Sequence, residues 1–441
     1  MADQIMQKEV STSYRTTVLI LLTVVYTLSF IDRQIIGTLS PFIKEDLGLN
    51  DSQLGWLKGF AFALLYTAVG IPIAWLADRY NRVRIVSISL ALWSGFTALT
   101  GLANSFASIL IARIGVGIGE AGGSPPSHSI ISDMYPKEKR ASALGIYSLG
   151  IPFGIMFAFF AAGLLATTLG WRGTLIALGV PGVVLALIVV LFIKEPVRGA
   201  TDNINTDLEP TSIKESILTL AKIPSWWAVC LGAAFVSYGG YSVANWNVDY
   251  LIRFDPSLKT TERFRWLLTW LGIINGVAFG LGTYFGALLV EKLAQKNVSA
   301  YGWAPALALL IGAPCLIASY WVDTVGMHLI LLTVYLTSSG VYLGPSFSVA
   351  QTLAPIRMRA MSTAMFFLIL NLIALGGGPT LTGIISNALT PQYGETHGLR
   401  LALTLLAIAY AIAIVSFFVA GRTLSKDWAI AEARNKQQSE G

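Results

Sequence analysis

The chain has 441 residues, 54% hydrophobic and only 12% charged, with formal net charge +6 and mean hydropathy +0.65. Soluble domains carry about 25% charged residues, so the composition excludes a soluble protein and points to a membrane protein. The two cysteines, Cys230 and Cys315, fall in apolar runs and imply no disulfide framework.

A membrane-crossing helix requires about 20 mostly apolar residues. The predicted spans are 16–38, 52–75, 84–103, 107–131, 141–167, 173–193, 225–250, 266–290, 303–321, 327–350, 361–386 and 400–421. They are continuous rather than alternating, which excludes a β-barrel. The first is too long for a cleavable signal peptide and lacks a small-residue cleavage site. Ser124-Pro125-Pro126-Ser127 can break or kink the end of the fourth. The longest connection, Lys194 to Pro224, reads as a polar linker, with Ser212–Ala221 spaced like a helix on a membrane surface. This predicts a six-helix bundle over 1–193, a linker over 194–224, and a second six-helix bundle with a tail over 225–441. The expected fold is all-α with twelve transmembrane helices. The outer connection Arg253 to Arg265 reads as a solvated loop.

Most of the 30 Lys and Arg lie in alternate connections, among them Arg79, Arg82 and Arg84, Lys137, Lys139 and Arg140, and the C-terminal tail. The positive-inside rule then places both termini in the cytoplasm. The basic excess is a topology signal, so no nucleic-acid partner is expected. The halves also resemble each other: Pro136–Ala141 and Pro355–Ala360 both read P-x-x-x-R-A and open the fifth run of each half. A duplicated bundle of this kind places its site between the halves near the midplane.

Four charges cluster in two of the spans: Asp32 and Arg33 in the first, Arg113 and Glu120 in the fourth. Each costs roughly 2.5–3.5 kcal/mol on insertion scales. A structural ion pair tying two helices would explain one; four on two helices favour a site for substrate and protons. Arg113 and Glu120 are seven residues apart, hence on one face and ~10 Å apart along the axis. Depth counting lets Asp32 meet Arg113, whereas a direct Arg33–Glu120 contact requires helix stagger, tilt or long side-chain reach. Tyr238, Tyr241 and Asn245 in the seventh span, Asn275 in the eighth and Asn371 in the eleventh are candidate cavity-lining residues. His128, His328 and His397 look like loop or span-end residues, with no metal site implied, and no cofactor is expected.

The second connection reads Gly70-Ile71-Pro72-Ile73-Ala74-Trp75-Leu76-Ala77-Asp78-Arg79-Tyr80-Asn81-Arg82-Val83-Arg84. It resembles the signature loop of the major facilitator superfamily, with Asp78, Arg79, Arg82 and Arg84 matching and Ala74 and Asn81 replacing glycines. Asn tolerates the left-handed conformation, so Asn81 is a mild departure. Arg113 to Gly119 resembles the superfamily's fourth-helix motif, and its glycines allow close helix approach. Phe30-Ile31-Asp32-Arg33 together with Gly119-Glu120-Ala121 is similar to the spinster branch of that superfamily. The resemblance implies a bacterial spinster homologue, with the signature loop acting as a conformational switch. It also implies a charge cluster of Asp32, Arg33 and Glu120 beside an amphiphilic substrate.

The resulting expectation is a proton-coupled secondary transporter of a lysophospholipid- or sphingolipid-type substrate, working by alternating access. Arg33 contacts an anionic head group and Arg113 orients Asp32. A transporter of a sugar acid, another organic anion or a drug-like cation is the alternative. The expected protein is a multi-pass monomer in the lipid bilayer, in the inner membrane if bacterial. It is not an enzyme: the chain has no H-E-x-x-H, no G-x-S-x-G and no Walker-type phosphate loop.

Overall fold

Ser11 starts the first helix, its hydroxyl accepting from the Tyr14 amide, and α1 runs Thr12–Leu47 until Gly48 turns left-handed at φ 61°. This computed structural model describes residues 11–77, 79–198, 213–355 and 358–440. All regular structure among them is helical. α1 continues past the predicted end at Thr38 because Leu39, Ser40, Pro41 and Ile43 are buried. The second crossing is α2 (Asp51–Lys58) and α3 (Phe60–Ala77), separated at Gly59. α4 (Arg82–Thr100) returns. The fourth crossing is α5 (Phe106–Glu120) and α6 (Ser124–Met134). Its break falls at Ala121–Gly123, just before the prolines. Pro125 and Pro126 sit in the first turn of α6, where a missing N–H costs nothing.

α7 (Lys137–Ser148) leads into α8 (Gly150–Phe192), which contains one non-helical residue, Gly170, at φ 68°. That conformation suits glycine, and the chain doubles back there. Before it, Gly154 lies on Phe30 of α1; after it, Gly179 lies on Ser94 of α4. The Tyr14 hydroxyl donates to the Phe192 carbonyl at 3.3 Å.

In the second half, α9 (Ile213–Ala221) precedes α10 (Pro224–Phe254). The helical reading of the linker thus holds for α9, while residues 199–212 lie outside the described ones. α11 (Thr261–Ile273) joins α12 (Phe279–Ala294) through a π-helical turn at Ile274–Ala278. α13 (Ala300–Ser319), α14 (Val325–Ser339) and α15 (Leu343–Thr352) follow. α16 (Arg359–Leu370) joins α17 (Gly378–Thr404) through a second π-helical turn, Asn371–Gly377. Gly394, at φ 77°, is the other reversal. α18 (Leu406–Glu440) then returns along α10, with Tyr410 beside Gly239 and the Thr423 hydroxyl 2.7 Å from that of Ser225. It runs well beyond the predicted end at 421, its tail tied down by Trp428 stacked on Tyr301 and by Arg434 donating to the Leu353 carbonyl at 2.9 Å.

Among the described residues, ten stretches are long and apolar enough to cross a membrane. Two of them, Ser142–Phe192 and Met361–Arg434, double back at Gly170 and Gly394, so the crossings number twelve. One face of the molecule carries the start of α1 and the end of α18; we call it the terminal face. The packing between the halves lies toward the opposite face. There α2 sits against α17, α1 against α10, and Gly272 and Gly276 rest on Phe160 and Met156 of α8.

Candidate functional site

Arg33 on α1 and Glu120, the last residue of α5, form a buried ion pair: Nε donates to Oε2 at 2.6 Å. Glycines seat α5 closely against α3 and α4. Gly117 presses against the Phe62 carbonyl and Gly119 against Trp93, where a Cβ would collide. The guanidinium is walled by aromatic rings, its carbon 4.9 Å from the Phe30 centroid, 5.2 Å from Phe62 and 4.7 Å from Tyr66. Such contacts favour a desolvated cation and fix its plane.

The expected Asp32–Arg113 carboxylate pair is not made. Arg113 Nη1 instead donates to the backbone carbonyl of Asp32 at 3.3 Å, both residues being buried. The direct Arg33–Glu120 contact, which depth counting had made conditional, is the short one. Two polar atoms here, Glu120 Oε1 and Arg113 Nε, are buried with no hydrogen-bond partner among the described residues. Buried polar groups are seldom left so, and a proton, water or ligand atom would satisfy them.

The other candidates divide. Tyr241 reaches across from α10 to pack against the hydrophobic cluster of the first half. Tyr238 lies beside Gly377 and Gly378. Asn245 is buried between the halves and does not line an open cavity: its Nδ2 donates to the Tyr241 carbonyl at 2.9 Å and its Oδ1 faces Gly37. Asn275 and Asn371 both lie in the π-helical turns, where helix geometry is irregular. His128 lies within α6, edge-on to the Tyr147 ring, and is not a loop residue. His328, in the first turn of α14, is buried between the Ser319 carbonyl at 2.8 Å and Asn247 Oδ1 at 3.0 Å.

Toward the terminal face an apolar groove of about 310 Å³ opens beside α1, lined by Ile20, Val24, Thr27, Ile146, Phe153 and Phe157 among others. The α1 stripe Ile20–Val24–Thr27 continues to Gln34, which donates to the Ala244 carbonyl of α10 at 2.7 Å. The α8 stripe Phe153–Phe157 continues to Phe160, which meets Gly272. The inner end of the groove, at Leu28, lies five residues before Arg33 on α1, about 7.5 Å along the axis.

Of the signature loop, Asp78 lies outside the described residues. Arg79 stacks on Trp75 and Arg84 is exposed. Arg82 is buried and clamps α6 to the segment after α8, bonding Asp133 at 2.5 Å, Glu195 at 2.6 Å and the Pro196 carbonyl at 2.9 Å. Asn81 is not left-handed: at φ −62° it caps α4, its side chain accepting from the Arg84 amide at 2.8 Å. The hydrogen bonds and ion pairs found for Arg79 and Arg82 stay within the first half and the start of the linker, at Glu195 and Pro196.

Sequence reading missed a second charged cluster near the opposite face. Arg253, expected in a solvated loop, ends α10 and holds Asp51 with two bonds of 2.7 and 2.8 Å. Lys44 lies 3.1 Å from the same carboxylate, and the Ser386 hydroxyl donates to it at 2.6 Å. Deeper, Lys58 pairs with Asp249 at 2.7 Å, both side chains essentially unexposed. The only hint was a lone Lys within one span and a lone Asp in another, 191 positions apart.

Twelve apolar crossings around a charged buried centre define a multi-pass membrane transport protein. The family model for the Major Facilitator Superfamily matches residues 22–379. The structure superposes with TM-score 0.86 on a solved bacterial homolog of the human lysosomal transporter spinster, in its inward-facing and unoccupied conformation. That protein is 32% identical, over 95% of this chain and 99% of the other. An MFS-type efflux pump of Mycolicibacterium smegmatis is 29% identical, over 94% of each chain. The sphingosine-1-phosphate transporter SPNS2 of Danio rerio is 25% identical, over 89% of this chain and 79% of its own. The chain belongs to the major facilitator superfamily and, within it, to the spinster family.

Proposed function

We propose that this transporter carries an amphiphilic, lipid-like substrate with an anionic head group, coupled to protons. The observation that carries the reading is that one helix, α1, bears both the Arg33–Glu120 pair and one wall of an apolar groove of about 310 Å³. An amphiphile needs both features in one place. A sugar acid needs the charge but gains nothing from a wall of Ile20, Val24, Phe153 and Phe157.

In this account Glu120 competes with the substrate for Arg33. A proton on Glu120 removes its charge, weakens the pair and frees the guanidinium for an anionic head group. Arg113 holds the α1 backbone at Asp32 and supplies a second buried cation; Asp32 is the second candidate proton carrier. The halves 1–193 and 225–441 rock about the site, and residues 194–224 connect them. The signature loop of Asp78, Arg79, Arg82 and Arg84 acts on the terminal face when that face closes. We place that face and both termini in the cytoplasm, the protein in a plasma membrane, and the working unit as a monomer.

The test is uptake into proteoliposomes with and without a pH gradient, comparing a lysophospholipid with a hexuronate. The reading predicts saturable, gradient-dependent movement of the lysophospholipid. Accumulation of the hexuronate alone would replace it with the sugar-acid reading.

A further inference from the structure

Two helices on either side of the seam between the halves carry complementary charge patterns near the face opposite the termini. α2 belongs to the first half and bears Asp51 and Lys58, seven residues apart and so on one face. α10 belongs to the second half and bears Asp249 and Arg253, one turn apart. α2 runs inward from that face and α10 runs outward. Asp51 therefore meets Arg253 near the surface, and Lys58 meets Asp249 deeper in. Each half contributes one cation and one anion. Both pairs cross between the halves.

The two pairs sit in different surroundings. Asp51 is a hub: besides Arg253 and Ser386 of the second half it has Lys44 of its own half, which also pairs with Glu395 at 2.8 Å. Lys58 and Asp249 are dry. The Lys58 ammonium lies 3.6 Å from the Trp246 ring centroid, and Asp249 Oδ2 also accepts from the Ser40 hydroxyl at 2.5 Å. Asp249 Oδ1 has no hydrogen-bond partner among the described residues. A buried pair contributes little over an apolar pair of the same shape, but losing one partner leaves an uncompensated buried charge. The pair is thus sensitive to the loss of either side yet replaceable as a whole.

We propose that the reciprocal pairs Asp51–Arg253 and Lys58–Asp249 are the latch that keeps this face closed, with Lys58–Asp249 its main element. Opening this face to admit or release substrate requires water to reach Asp249 and Lys58 as they part. The latch sets the balance between the two access states independently of which substrate is carried.

The test needs no substrate. Spin labels on Thr168→Cys and Gln392→Cys report the face opposite the termini; labels on Lys139→Cys and Gln351→Cys report the terminal face. The background has Cys230 and Cys315 replaced, in lipid nanodiscs, with distances read by double electron–electron resonance. Lys58→Met should shift the population toward an open opposite face and a closed terminal face by about a hundredfold. Lys58→Met/Asp249→Leu, which removes both charges, should restore the closed distances. Arg253→Gln leaves Asp51 with Lys44, so it tests the outer pair without orphaning a charge. It should shift the balance the same way by about tenfold or less. Unchanged distances in folded Lys58→Met or Arg253→Gln would overturn the latch. So would a double variant as open as the single.

Discussion

Two buried ion pairs of nearly equal length occupy this molecule, and they differ in what they join. Arg33–Glu120, at 2.6 Å, links α1 to α5 within the first half. Lys58–Asp249, at 2.7 Å, links α2 to α10 across the halves. Distance does not separate them, and burial only slightly: the Arg33 side chain is 11% exposed and the other three are 1% or less. Connectivity does: rocking of the halves leaves the first intact and must break the second. The first pair can therefore answer only to a proton or a ligand, whereas the second answers to the conformational cycle. Unpartnered atoms occur at both: Glu120 Oε1 and Arg113 Nε beside the first pair, Asp249 Oδ1 at the second. In the proposed account a proton or ligand satisfies the former and the groove beside α1 supplies the apolar wall.

The largest expected effect breaks the comparison on the ligand side. Glu120→Gln keeps the shape and cannot titrate, so gradient-driven accumulation in proteoliposomes should disappear while substrate exchange continues. Loss of folded yield in both Glu120→Gln and Glu120→Asp would instead mark the residue as a helix tie. Next comes Gly59→Ala, at the break between α2 and α3, where the new methyl would meet the Gly376 carbonyl and the Thr380 hydroxyl. Overpacking of this kind costs about 1–3 kcal/mol, and here it should weigh on the closed opposite face, seen as increased labelling of a cysteine placed at Thr168. A smaller effect belongs to Arg33→Lys. The charge remains but the planar group among Phe30, Phe62 and Tyr66 is lost, and substrate affinity should fall about tenfold. Calorimetric titration with a lysophospholipid measures it. Smallest is Lys259→Ala, whose exposed pair with Glu45 spans the halves at the rim. Rim pairs are worth about 0–1 kcal/mol, so melting temperature and transport should stay near wild type. A strong phenotype there would undo the distinction between dry and wet contacts.

The ligand-side pair was legible in the sequence because intramembrane charge is rare, and Asp32, Arg33, Arg113 and Glu120 stand out from two apolar runs. Their pairing was not legible. Depth counting assumes straight helices, yet the fourth crossing breaks after Glu120, and glycines bring α5 against α3 and α4 more closely than generic packing allows. The twelve crossings followed from hydropathy, while helix ends did not. α1 and α18 extend past their apolar runs because burial against other helices continues beyond the hydrocarbon core. The latch was invisible for a different reason. Lys58 and Asp249 each resemble an ordinary charge near a span end, and only the tertiary fold shows that they face each other. Arg253 was misread for the same cause: its partner Asp51 lies in the other half of the chain.

The most direct measurement is amide hydrogen exchange in nanodiscs, without substrate, of Lys58→Met beside Glu120→Gln. The account predicts faster exchange in Lys58→Met at α2 and at the outer end of α10, near Asp249 to Phe254, and wild-type rates there in Glu120→Gln. Equal acceleration in the two variants, or acceleration in Glu120→Gln alone, would contradict it.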